Sequence, residues 1–165
     1  MLLAKNPYSS CVLSDAVKDH TIHREYAAIV SGKTDASGTI DLPIARKDGS
    51  TIERVLDPER GETAVTHYRT FAYNKNADLS FIRLLLETGR THQIRVHMKA
   101  IGHPLPGDFL YCPDYRFIDR QPLHSTYLSF SHPVTGEKLE FSAPLPGDMR
   151  KLFPNIKDPS GPVFY

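Results

Sequence analysis

The stretch LLETGRTHQIRVHMKAIGHPLPGD, Leu85 to Asp108, decides how the chain is read. Gly89 breaks the strand that precedes it, and Thr91 to Ile101 has the apolar spacing of a helix, stopped by Gly102 and by Pro104 two residues on. At the helical repeat, Ile94, Met98 and Ile101 share one stripe, the face that packs on a sheet. His92, Arg95 and Lys99 fall on a neighbouring stripe, and Arg90 precedes the first turn. A row of cationic groups bordering a buried face is where the rim of a cleft lies, and the N–H groups of a helix start add their own attraction for an anion. The alternative is an ordinary solvated basic face.

Outward from this helix the strands are legible. Arg24 to Gly32 reads as a strand ending in a glycine turn, and Ala64–Ala72 with Leu79–Leu86 as a strand pair joined by turn residues. Leu123–Ser131 and Lys138–Ser142 bracket His132-Pro133-Val134-Thr135-Gly136-Glu137, a hairpin connection. Tyr8 to Val17 reads as a short helix, and Thr34 to Glu62 as a polar excursion with weak strands near Thr39–Ile44. Several strands with few helices give an α+β fold with a mixed, mainly antiparallel sheet. Residues 1–153 form the domain, and residues 154–165, rich in Pro and Gly, an irregular tail.

Composition excludes more than it selects. The 165 residues are 40% hydrophobic and 24% charged, ordinary values for a single globular domain. The net charge is only +1, so any case for nucleic acid rests on where the charges cluster. No apolar run is long enough for a membrane span, and the start of the chain carries no signal-peptide core. Cys11 and Cys112 make neither a disulfide framework nor a metal pattern, and a reducing cytoplasm is the simplest compartment. His92 and His97 are rotated about 140° apart on a helix, a poor geometry for shared metal ligation. No glycine-rich phosphate loop with a following lysine is present.

Taken together, ETGRTHQIRVH (Glu87–His97) and GHPLPGDFLY (Gly102–Tyr111) resemble the signature of the RluA-type RNA pseudouridine synthases. Further stretches match in the expected order: LLAKNP (Leu2–Pro7), HREYAAIVSG (His23–Gly32), ETAVTHYR (Glu62–Arg69) and the closing LHSTYLSFSHPVTGEKLEFSAPLP (Leu123–Pro146). The resemblance implies isomerisation of uridine to pseudouridine in ribosomal or transfer RNA. The base is detached from its ribose, turned and rejoined through carbon, without a cofactor because the reaction is redox-neutral. Such a target must leave the stack, which calls for a cleft with a basic rim.

By motif position, the resemblance makes Tyr26 the tyrosine that stacks on the flipped base and Arg95 the arginine that orients the nucleophilic aspartate. Leu123 then lines the base pocket, while Arg90, His92 and Lys99 are phosphate or ribose contacts. It implies an RNA partner, no membrane and a monomer. The family's histidine-arginine-leucine-aspartate loop would stand just before LLAKN, and this sequence does not contain it. Asp15 and Asp19 belong to the first helix and Asp108 to a turn, so none substitutes for the nucleophile. Two expectations follow: Leu2–Lys5 is the second half of a buried strand, and Arg95 faces a pocket without a carboxylate. The resulting readings are a catalytic domain without its nucleophile, inactive alone, or a non-catalytic RNA-binding remnant. An unrelated α+β domain with a basic face is the third.

Overall fold

The computed structural model describes residues 2–156 and 161–164. Helix α1 (Pro7–Lys18) starts where the sequence supplies its signals: Asn6 accepts the Ser9 N–H at 2.8 Å, and Pro7 takes the first helical position, where its missing N–H costs nothing. Strands β1 (His23–Ser31), β2 (Ser37–Asp41), β5 (Val65–Asn74), β6 (Leu79–Leu86), β7 (Leu123–Ser131) and β8 (Lys138–Ser142) form one sheet in the order β2-β5-β6-β1-β7-β8. A separate two-stranded sheet pairs β3 (Ile44–Arg46) with β4 (Arg54–Leu56). Every strand pairing among the described residues is antiparallel, so the α+β expectation holds and the parallel component of a mixed sheet is absent there.

The large sheet is covered on both faces, which explains why its central strands are continuously apolar. On one face, Ala28 and Val30 of β1 and Ile82 and Leu84 of β6 pack with Ile94 and Met98 of helix α2 (Gln93–Ala100) and with Leu105. On the other, Ala27, Ile29 and Phe81 pack with Ile118, Leu145 and Met149 of helix α3 (Gly147–Leu152). A smaller cluster of Ile44, Ala64, Val96 and Tyr111 joins the β3–β4 hairpin to α2.

One expectation needs correction here. Leu2–Lys5 forms no strand, and Leu3 is 71% exposed. No neighbouring strand among the described residues pairs with it, so its backbone has no ladder to join. The excursion's weak strands are β2 and β3, which lie in different sheets and are separated at Leu42-Pro43, where proline removes a ladder donor. Helix α3 has no counterpart among the expected elements. In the tail, residues 154–156 and 161–164 carry neither helix nor strand, and the rest of that expectation lies outside the described residues.

Candidate RNA-binding and catalytic site

Tyr26 stands on β1 at the one face of the sheet that α2 covers, half-buried against the cluster of Ala28, Leu84 and Ile94. Its ring forms part of the wall of a cavity of about 440 Å³ that also takes in Lys18, His20, Arg24, Gly89 and Arg90. Leu123 of β7 pairs with Ala28 and packs on the same cluster, two residue pairs along the sheet from Tyr26 opposite Ser125. The structure therefore brings Tyr26, Leu123 and Arg90 to one side of the molecule.

The glycine-arginine-threonine-histidine-glutamine turn is held by its glutamine. Gln93 is buried, and both ends of its amide are engaged. Its Oε1 accepts the Arg90 N–H at 2.9 Å and the Thr88 hydroxyl at 2.8 Å. Its Nε2 donates to the Val65 carbonyl at 2.9 Å and to Thr66 Oγ1 at 3.0 Å. The turn is thus tied to β5, and a buried amide with every group satisfied specifies one arrangement. Arg90 is fixed further by an ion pair with Glu62 and by Nε donating to the Thr63 carbonyl at 3.0 Å.

His92 is not in the helix but caps it, with φ +58°, a left-handed conformation that is rare for a residue with a side chain. Such strain persists only where the surroundings impose it. The ring is held by Tyr111, whose hydroxyl accepts the Arg54 N–H at 2.9 Å and lies 3.0 Å from His92 Nδ1. With its oxygen accepting from Arg54, the hydroxyl still has its own proton to offer Nδ1. Burial, followed by the charges of Arg95 and Arg54, lowers the His92 pKa. At neutral pH the His92 ring is therefore a neutral hydrogen-bonding group and not the cation that its place in the basic stripe suggests.

The stripe of His92, Arg95 and Lys99 is real, and Tyr111 is its meeting point. The Arg95 guanidinium lies 4.8 Å from the Tyr111 ring centre and Lys99 Nζ 5.6 Å from it, both within cation–π range. Lys99 is exposed. Arg95 is buried, and the expectation that it faces no carboxylate is overturned: Nε and Nη2 donate to Asp108 Oδ2 and Oδ1, each at 2.6 Å.

Asp108 is itself fully buried and accepts the N–H groups of Leu110 and Tyr111 on Oδ1 at 3.0 and 3.2 Å. Burial pushes its pKa up, but the Arg95 hydrogen bonds, these backbone donors and the Arg95 charge outweigh it, and the net shift is downward. The preceding Gly107 has φ +72°, and a Cβ there would meet the Ile118 and Arg120 carbonyls at 2.5 and 2.6 Å. Only glycine lets the chain turn and deliver Asp108 beneath α2. The sequence held only a partial signal for this pairing. A buried arginine on the cleft side of α2 demands an acid, and GHPLPGD supplies one at its end.

A six-stranded antiparallel sheet is packed on one face by α2, with a tyrosine-walled basic cavity on that same side. Residues 1–100 match the RNA pseudouridylate synthase family, and the chain belongs to it. It is 50% identical over 153 residues to the uncharacterized RNA pseudouridine synthase YjbO of Bacillus subtilis, with 92% of this chain and 53% of that protein covered. It is 43% identical over 166 residues to the ribosomal large subunit pseudouridine synthase D of Vibrio cholerae, with 92% and 50% covered. Among solved structures, human RNA pseudouridylate synthase domain containing 1 superposes with a TM-score of 0.72 at 27% identity, over 86% of this chain and 62% of that one. The chain spans about half the length of the curated relatives it matches.

Proposed function

We propose that this chain supplies the base pocket and the orienting arginine of an RNA pseudouridine synthase, acting on ribosomal or transfer RNA. The observation that carries this reading is the cavity of about 440 Å³ in which Tyr26 is set among Lys18, His20, Arg24 and Arg90. An aromatic face in a basic cleft can stack an extruded base while its flanking phosphates meet the cations. Tyr26 stacks on the target uracil, Leu123 lines its pocket, and Arg90, His92 and Lys99 contact phosphate or ribose. Arg95 orients the nucleophilic aspartate. Two of its nitrogens hold Asp108, and the guanidinium fork retains Nη1 for a second carboxylate. The nucleophile itself comes from sequence outside these 165 residues, a reading supported by the chain's half-length match to its relatives. The name of the Vibrio cholerae relative favours large-subunit ribosomal RNA as the target.

The test is tritium release from uridine-labelled bulk RNA. The 165-residue chain alone forms no pseudouridine, whereas a complete synthase carrying this sequence does. In that complete form, Arg95→Ala cuts turnover at least a hundredfold, the scale of losing a group that acts in the transition state, with RNA affinity little changed. Robust turnover by the isolated chain would sink the external nucleophile. Full turnover by the Arg95→Ala enzyme would remove Arg95 from the chemistry. The second reading, an RNA-binding protein without chemistry, gains if the complete form binds RNA and forms no pseudouridine.

A further inference from the structure

A second cavity, of about 340 Å³, lies beside the first and is walled by Arg46, Arg54, Arg60, Glu62, Gly89 and Arg90. Gly89 and Arg90 line both cavities, so the two open on either side of the same turn. We propose that this arginine-walled cleft under the β3–β4 hairpin grips backbone phosphates of the RNA strand that flanks the nucleotide held at Tyr26. The inference rests on the RNA-modifying role proposed above and extends its footprint to a part of the fold that the motif matches leave out.

The hairpin's own register makes the case. Arg46 and Arg54 are directly opposite each other in the β3–β4 ladder. Like charges at facing positions destabilise a strand pair, and a hairpin this short has little stability to spare. Neither side chain has a carboxylate partner among the described residues: Arg54 Nη1 bonds only the Ile52 and Glu53 carbonyls, at 3.3 and 3.1 Å. The other two arginines differ. Arg60 is held by Asp57 and Asp48, and Arg90 by Glu62. The pair Arg46 and Arg54 is thus the uncompensated charge of the cleft. A polyanion threading it relieves the repulsion, and a guanidinium fork matches phosphate oxygens in pairs.

Position supports the same conclusion. The Arg54 N–H is anchored to the Tyr111 hydroxyl, and Tyr111 also holds His92, Arg95 and Lys99. The cleft is therefore rigidly registered against the helix that carries Arg95, and an RNA strand gripped there is aligned with the pocket at Tyr26. Neutralising phosphates releases condensed counterions, so each phosphate gripped adds to the salt dependence of binding.

The experiment compares two fluorescein-labelled single strands, a uridine-centred trinucleotide and a dodecanucleotide with the same centre, on the 165-residue chain as salt is raised. The dodecanucleotide binds with the steeper slope. Arg46→Ala lowers that slope by about 0.7 for each phosphate no longer neutralised, weakens dodecanucleotide binding severalfold and leaves the trinucleotide unchanged. Arg54→Gln does the same. Lys47→Ala, which removes a charge from the same hairpin but outside the cleft wall, leaves the slope at the wild-type value. Circular dichroism of each variant confirms the fold, and Arg46→Ala, an exposed site, keeps the test open if Arg54→Gln loosens the hairpin. A wild-type slope in both arginine variants overturns the proposal, as does an equal drop in Lys47→Ala or equal slopes for the two strands. Failure of the pseudouridine reading is separate. It would show as absent turnover in the complete synthase while the Arg46 dependence of binding persists.

Discussion

Arg95 and Asp108 form a buried bidentate ion pair, and the worth of such a pair lies less in its net attraction than in the cost of breaking it. Asp108→Ala strands a guanidinium between Tyr111 and Phe109, whose ring centres lie 4.8 and 5.6 Å from it. Urea unfolding of this variant is expected to show a loss of about 3–5 kcal/mol. Because the Asp108 carboxyl titrates below its usual value of 3.8, its contribution is fully present above that pH and is lost only as the pH falls further, through the depressed folded value. A variant within measurement error of wild type at pH 7 would refute the pair's structural weight. At this scale the placement of Tyr26 on a strand and of Arg95 on a helix face bordering the core was legible in the sequence. Asp108 was not, because a carboxylate in a Gly-Asp turn looks like a turn residue until the fold shows what lies above it.

Helix α2 was readable as an element, since its Ile94 and Met98 stripe has helical spacing and both residues are buried in the core. Its start was not readable. The sequence run from Thr91 gives no sign that His92 adopts φ +58°, and the ring's partner, Tyr111, lies nineteen positions away in the chain. His97 shows a different constraint. It is buried, with Nε2 donating to the Leu42 carbonyl at 2.9 Å and Nδ1 taking the Thr66 hydroxyl proton at 2.9 Å. Burial lowers its pKa despite the Leu42 bond. A depressed folded pKa gives stability that is complete above the unfolded value of about 6.5 and is lost as the pH falls through the folded one. Chemical unfolding is therefore expected to show lower stability at pH 5.5 than at pH 7.5. His97→Gln is expected to be less stable throughout and to show a smaller difference between the two. An unchanged pH difference in the variant would assign it to another group.

Across the whole molecule, the sheet's two covered faces carry different tasks: Tyr26 and α2 belong to one, the C-terminal segment to the other. No helix among the described residues is long and apolar enough to cross a membrane. On the face away from the cleft, Glu25 and Arg83 are completely buried and paired at 2.8 Å. The run LSFIRLLL contained the clue, since an arginine inside a strand covered on both sides must meet an acid, but Glu25 sits in a different strand and only the β1–β6 pairing brings them together. What closes over this pair is the end of the chain. The N–H groups of Val163 and Phe164 donate to the Glu25 carboxylate at 2.8–3.0 Å, and Gly161 offers its carbonyl to Arg83 at 3.4 Å. A tail that composition marked as irregular thus supplies backbone donors to a buried charge, a contact that no side-chain pattern encodes. Hydrogen bonds to a charged group contribute about 1.5–3 kcal/mol each, and water recovers part of that when the cover is removed. Truncation after Ile156 should therefore lower the unfolding free energy by about 1.5–3 kcal/mol. The Glu25→Leu, Arg83→Met double variant replaces the pair with apolar groups, a change that is often close to neutral. In that background the same truncation should cost less, and the difference between the two costs measures the coupling between tail and ion pair. Equal costs in both backgrounds would show that the tail stabilises the fold through other contacts, such as the Arg69 guanidinium over the Phe164 ring at 5.9 Å.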